Sequence, residues 1–168
     1  MGVPFNAGEA ITAAALNSLP PQISVLGTTQ TVSSTSPVQV GSFSAIVADG
    51  VTYIGRAKIT VDANSGGTGE FRWTGPADPT LLEMDIVSQQ TATADAYQNA
   101  AIESATGYNS GFLSTPELAT ASYIVWLEIT ITPSADGTLE LICANAAGGS
   151  DTFNLGIGSY LRVDQQQT

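Results

Sequence analysis

Residues Ser122–Thr132, Ser-Tyr-Ile-Val-Trp-Leu-Glu-Ile-Thr-Ile-Thr, limit the possible folds more than any other stretch of this chain. On an extended backbone Tyr123, Val125, Leu127, Ile129 and Ile131 fall on one side. Ile124, Trp126, Glu128, Thr130 and Thr132 fall on the other. A strict period of two, carried by β-branched and aromatic side chains, specifies a strand and contradicts the 3.6-residue recurrence of a helix. One face is wholly apolar, so a second layer must cover it. Asp136-Gly137 and the alternating run Thr138–Ala144 come next, a sequence that predicts a hairpin.

The same reading extends to most of the chain. Val38–Val47 alternates and leads to Asp49-Gly50, another hairpin signal. Val51–Val61 places Tyr53, Ala57, Ile59 and Val61 on one face, with Ile54, Arg56, Lys58 and Thr60 on the other. Gly69–Thr74 puts Phe71 and Trp73 opposite Arg72; Leu82–Val87, Thr152–Leu155 and Ser159–Asp164 are further short strands. Residues 22–37 read as a connector leading into a first strand near Thr28–Ser33. Ala92–Ala105 reads as an Ala-rich helix or a long loop, Gly107–Gly111 as a turn, and 165–168 as a frayed tail. Many short strands separated by turn signals predict an all-β, antiparallel, jelly-roll-like sandwich over residues 38–164. The poorer faces of its two longest strands carry Ile54 and Trp126, which mark a candidate subunit interface.

Composition supports a packed domain: 43% of residues are hydrophobic and only 11% are charged, unlike a disordered chain. The net charge is −11, and the basic residues Arg56, Lys58, Arg72 and Arg162 are scattered along the sequence. Nucleic acid is therefore not an expected partner. No apolar run reaches the roughly 18 residues of a membrane span, so membrane insertion is not expected. Cys143 is the one cysteine; it shares a face with Leu139 and Leu141 and reads as a buried apolar residue, with no disulfide to form. The expected setting is a reducing cytoplasm.

Catalytic constellations are hard to assemble from these residues. Without histidine there is no Ser-His-Asp or Cys-His arrangement, and the commonest general base is missing. Gly107-Tyr108-Asn109-Ser110-Gly111 lacks the Gly-x-Ser-x-Gly spacing of a nucleophile elbow. Glu128 and Glu140, placed opposite one another across the Asp136-Gly137 turn, are the remaining candidate acid–base pair. Like-charged residues on a solvent face explain them more simply. Asp62–Glu70 hints at a calcium loop, but Gly66 and Trp73 stand where ligands belong in that motif. Asp78, Glu83 and Asp85 read as surface charge. No cofactor, metal or enzymatic activity is expected.

The first 21 residues differ in character from the body. Thr12 caps a helix over about residues 13–19, Ile11 and Leu16 form a hydrophobic staple across it, and Pro20-Pro21 ends it. So short a helix is marginal alone. Phe5, Ile11, Leu16 and Leu19 are therefore the candidate attachment residues.

Phe5-Asn6-Ala7-Gly8-Glu9-Ala10-Ile11-Thr12-Ala13-Ala14-Ala15-Leu16-Asn17 resembles the leader of many tailed-bacteriophage fibre and minor tail proteins. Phe71-Arg72-Trp73-Thr74-Gly75-Pro76 and Gly158-Ser159-Tyr160-Leu161-Arg162-Val163 are similar to strands of the β-rich modules that follow it. The resemblance implies a structural virion protein, a homotrimer with a TNF- or C1q-like knob, made in the host cytoplasm and attached through the leader. Tail fibre, minor tail protein, head fibre and capsid decoration (cement) protein all fit it, and other virion proteins of capsid or tail are the implied partners. A carbohydrate-binding host adhesin, using Tyr97, Tyr108 or Trp126 against host-surface glycan, is the alternative of a different class.

Overall fold

A computed structural model of the chain describes residues 21–63, 69–90, 97–104, 108, 113–114, 122–145 and 152–166. The segment expected to form a helical leader, with Phe5, Ile11, Leu16 and Leu19, lies outside the described residues, as do residues 64–68. The strands are β1 (Gln22–Val25), β2 (Gln30–Val32), β3 (Val38–Val47), β4 (Tyr53–Ala63), β5 (Gly69–Thr74) and β6 (Leu81–Gln90). They continue with β7 (Tyr97–Ser104), β8 (Leu113–Ser114), β9 (Ser122–Thr132), β10 (Gly137–Asn145), β11 (Phe153–Leu155) and β12 (Tyr160–Gln165). The pairings are antiparallel. The larger sheet runs β1-β12-β4-β9-β6-β7 with β2 and β11 alongside, and the smaller runs β3-β10-β5-β8.

Alternation dictates the layering. Val125, Leu127, Ile129 and Ile131 of β9 are buried, as are Ala57, Ile59 and Val61 of β4. They meet Phe43, Phe71, Trp73, Leu139, Leu141 and Cys143 of the smaller sheet in one core. Each large side chain buried there contributes on the order of 1.5–3 kcal/mol relative to exposure. The all-β antiparallel sandwich is thus the observed fold, and the chain passes repeatedly between the sheets, among other places at β3–β4, β5–β6 and β9–β10.

Those crossings correct the two hairpin expectations. Asp49-Gly50 and Asp136-Gly137 do mark turns, but β3 and β4 lie in different sheets, and so do β9 and β10. Each of these strands buries one apolar face, and opposed sheets let both buried faces share one core. The two corners meet: the Asp49 N–H donates to Asp136 Oδ1 at 2.8 Å, and the Gly50 N–H to the Pro133 carbonyl at 2.9 Å. Ser134 Oγ donates to the Asp78 carbonyl of the β5–β6 crossing.

Three other expectations change. Residues 22–37 are more than a connector, since β1 pairs with β12 and β2 with β11. The first strand begins at Gln22, ahead of the Thr28–Ser33 expected. Gln165 pairs with Tyr53, and the Gln166 N–H donates to the Thr52 carbonyl at 2.8 Å, so these two residues of the expected frayed tail are held by the sheet, while 167–168 lie outside the described residues. Of the helix or loop expected over Ala92–Ala105, residues 97–104 form β7 on the free edge of β6. Helix propensity differs by only tenths of a kcal/mol per residue, and pairing an open edge overrides it.

Two glutamines close one side of the sandwich. On β3, residues 40–43 stand against the single Leu141 of β10, a bulge that requires φ +52° at Gly41. The Gln30 amide bridges the bulge, accepting from Gly41 N–H at 2.7 Å and donating to the Gln39 carbonyl at 2.8 Å. The Gln22 amide does the same at Ile46, with both bonds 2.7 Å. Each side-chain amide replaces a missing strand on the open edge of β3.

Candidate functional site

Every outward-facing residue of β12, β4, β9 and β6 belongs to one surface, and the strand register orders it into rows. Val25, Tyr160, Lys58, Trp126 and Val87 stand side by side across β1, β12, β4, β9 and β6. The neighbouring row reads Ile23, Arg162, Arg56, Glu128 and Asp85. The next places Asp164, Ile54, Thr130 and Glu83 in line. Tyr160 is 38% exposed, Val25 57% and Ile23 61%, while Trp126 and Ile54 are half-buried. An outer sheet face that met only water would be mainly polar. Here an apolar and aromatic row runs beside a charged one.

Cross-strand pairing also brings together cations that the sequence keeps apart. Arg56, Lys58 and Arg162 share this face, which corrects the expectation of four scattered basic residues. Arg56 and Arg162 are direct neighbours, an arrangement that alone would be repulsive. Each turns to its own carboxylate: Arg56 Nε donates to Glu128 Oε2 at 2.6 Å, and Arg162 Nε and Nη2 to Asp164 at 2.8 and 2.9 Å. These hydrogen bonds are the first cause of the raised pKa of both guanidinium groups. The pairs are solvent-exposed and contribute little to stability. Lys58 has no ion pair among the described residues.

Between the rows lies a shallow groove of about 290 Å³, lined among others by Tyr160, Trp126, Val87, Arg56, Glu128 and Asp85. Of the residues expected to matter, Ile54 and Trp126 both reach this face. Tyr160, Arg56 and Lys58 complete it and were not singled out from the sequence.

The remaining candidates separate. Glu128 and Glu140 do not face one another, because β9 and β10 are in different sheets and the two side chains point away from opposite sides of the sandwich. Glu140 Oε1 instead accepts from Gln39 at 3.2 Å. They cannot flank one scissile bond. Asp62 accepts from Ser122, and Glu70 meets Arg72 at 3.4 Å. Among the described residues no group of three or more acidic, cysteine or histidine side chains is placed to hold a metal ion. Tyr108 is buried against Gly75, which removes it as a sugar platform. The Tyr97 side chain lies outside the described residues.

Cys143 sits in the core, where burial pushes its thiol pKa up to about 12. The thiolate is the nucleophile, so the folded protein should resist alkylation at pH 8 and react only after denaturation. Labelling with iodoacetamide and mass spectrometry, with and without urea, checks this; rapid labelling of the native protein would contradict the core placement.

No protein-family model matches the chain, and no curated protein matches it.

Proposed function

We propose that this chain is a non-enzymatic structural component of a bacteriophage particle. It is a homotrimeric knob attached to the virion through its N-terminal segment, with the outer face of the larger sheet forming the contact between copies. The observation that carries the assembly reading is the row Val25, Tyr160, Lys58, Trp126 and Val87 on that face. Trp and Tyr, the two aromatics of that row, are side chains enriched where subunits meet. The virion setting rests on the leader resemblance at Phe5–Asn17. It covers a fibre knob and a capsid decoration protein alike.

Removing residues 1–20 tests the division of labour, since the first strand of the body begins at Gln22. The shortened protein is expected to fold and to keep its oligomeric state, yet to be absent from purified particles. Normal incorporation would show that the leader is not the anchor.

The Trp126–Tyr160 groove also supports a sugar-binding adhesin as a second reading. The two readings exclude each other at this face, because a surface sealed between copies is closed to glycans. Glycan-array binding by the intact protein, lost on Trp126→Ala, would favour the adhesin.

A further inference from the structure

We propose that the contact between copies is electrostatically polar, with the β12–β4 half of the face on one copy seated against the β9–β6 half on the next. This rests on the reading of that face as a subunit contact and adds the partner of each half. Around the aromatic row, β12 and β4 carry Arg162, Arg56 and Lys58 against Asp164 and, two rows beyond Lys58, Asp62, which accepts from Ser122. The facing positions of β9 and β6 carry Glu128, Asp85 and Glu83 and no cation.

Neighbouring strands are about 4.8 Å apart, so β12 and β6 stand roughly 14 Å from one another. That separation gives the face two ends of opposite sign. The internal pairs Arg56–Glu128 and Arg162–Asp164 leave Lys58 as the unpaired charge beside the aromatic row at one end, with Asp62 two rows away, and Asp85 and Glu83 at the other. Lys58 has no ion pair among the described residues, and neither have Asp85 and Glu83.

A second copy of this chain offers the matching surplus. The apolar row supplies burial, and the charges choose the direction in which two such faces meet. Like ends juxtaposed would repel, while opposite ends attract. In a protein of net charge −11, a local cationic end is the feature that lets copies approach there.

The test uses full-length Lys58→Glu, Asp85→Lys and the double variant, each followed by sedimentation velocity, with circular dichroism to verify folding. Both positions face outward, away from the core. Each single change is expected to weaken association at least about tenfold, and the double variant to return to within about threefold of the parent. Equal mixing of the two single variants is expected to form mixed pairs that neither forms alone, because opposite charges join a Lys58→Glu copy to an Asp85→Lys copy, while a closed ring of three keeps one like-charged contact and is only partly restored. A Lys58–Asp85 attraction confined within one chain would not be rescued by mixing, so its failure overturns the proposal. Singles that associate like the parent overturn it too, while leaving the assembly reading intact. A parent protein that is monomeric defeats that reading itself.

Discussion

Trp73→Ala is expected to lower the stability of the body by about 3–5 kcal/mol, the cost of removing a large aromatic side chain from a closed core. Trp73 is 1% exposed and belongs to β5 of the smaller sheet. Its ring reaches across to β4, where a Cβ built on Gly55 would lie 3.7 Å from Trp73 Cη2. The same Cβ would lie only 2.6 Å from Ile129 Cγ2 of β9. A side chain at Gly55 would therefore conflict with Ile129 of the neighbouring strand and lie at ordinary contact distance from the Trp73 ring of the opposite sheet. Gly55→Ala probes the contact from the opposite direction, by overpacking, and is expected to cost about 1–3 kcal/mol. The added methyl would touch both Ile129 and the Trp73 ring, and loss of the ring gives it room, so the two effects should not add. Urea unfolding of the two single variants and the double variant measures all three quantities. A Trp73→Ala protein as stable as the parent would contradict the sandwich closure.

Trp126→Asp is expected to have the opposite profile: intact folding and lost assembly. Trp126 stands on the same strand as the core residues Val125 and Leu127 but points to the outer face, in register between Lys58 and Val87. Replacing it does not open the core. It does remove the central aromatic and set a carboxylate beside Lys58, so the apolar anchor is lost and the cation offered to a neighbouring copy is occupied within the chain. A central aromatic in such a contact is commonly worth 2 kcal/mol or more, so association should weaken about thirtyfold or beyond. Ile54→Asp, one row from the charged row and beside Thr130, should weaken it less. Circular dichroism should be unchanged for both, and sedimentation should report the dissociation. Loss of folding together with assembly would mean that Trp126 serves the body instead.

The fold was legible in the sequence where local periodicity decides it. Ser122–Thr132 and Val51–Val61 present the faces their alternation specifies, and Ile54 and Trp126 lie outward as parity requires. Turn chemistry was less informative. Asp49-Gly50 and Asp136-Gly137 locate a reversal of the chain but say nothing about whether the next strand pairs in the same sheet or crosses to the other. The Ala-rich stretch failed for a related reason, since the pairing of β7 with β6 outweighs a weak local preference. The site was only partly visible. Tyr160 aligns with Lys58, and Arg162 with Arg56, through pairings that join distant parts of the chain. No local pattern encodes that adjacency. Outward positions could be read strand by strand, but the rows exist only once the strand order is known.

The central claim is that this domain works by meeting copies of itself. Sedimentation equilibrium of the full-length protein at micromolar concentration tests it most directly. A single species of about three times the 17.2 kDa chain mass is expected; a single species at 17.2 kDa would overturn the trimer.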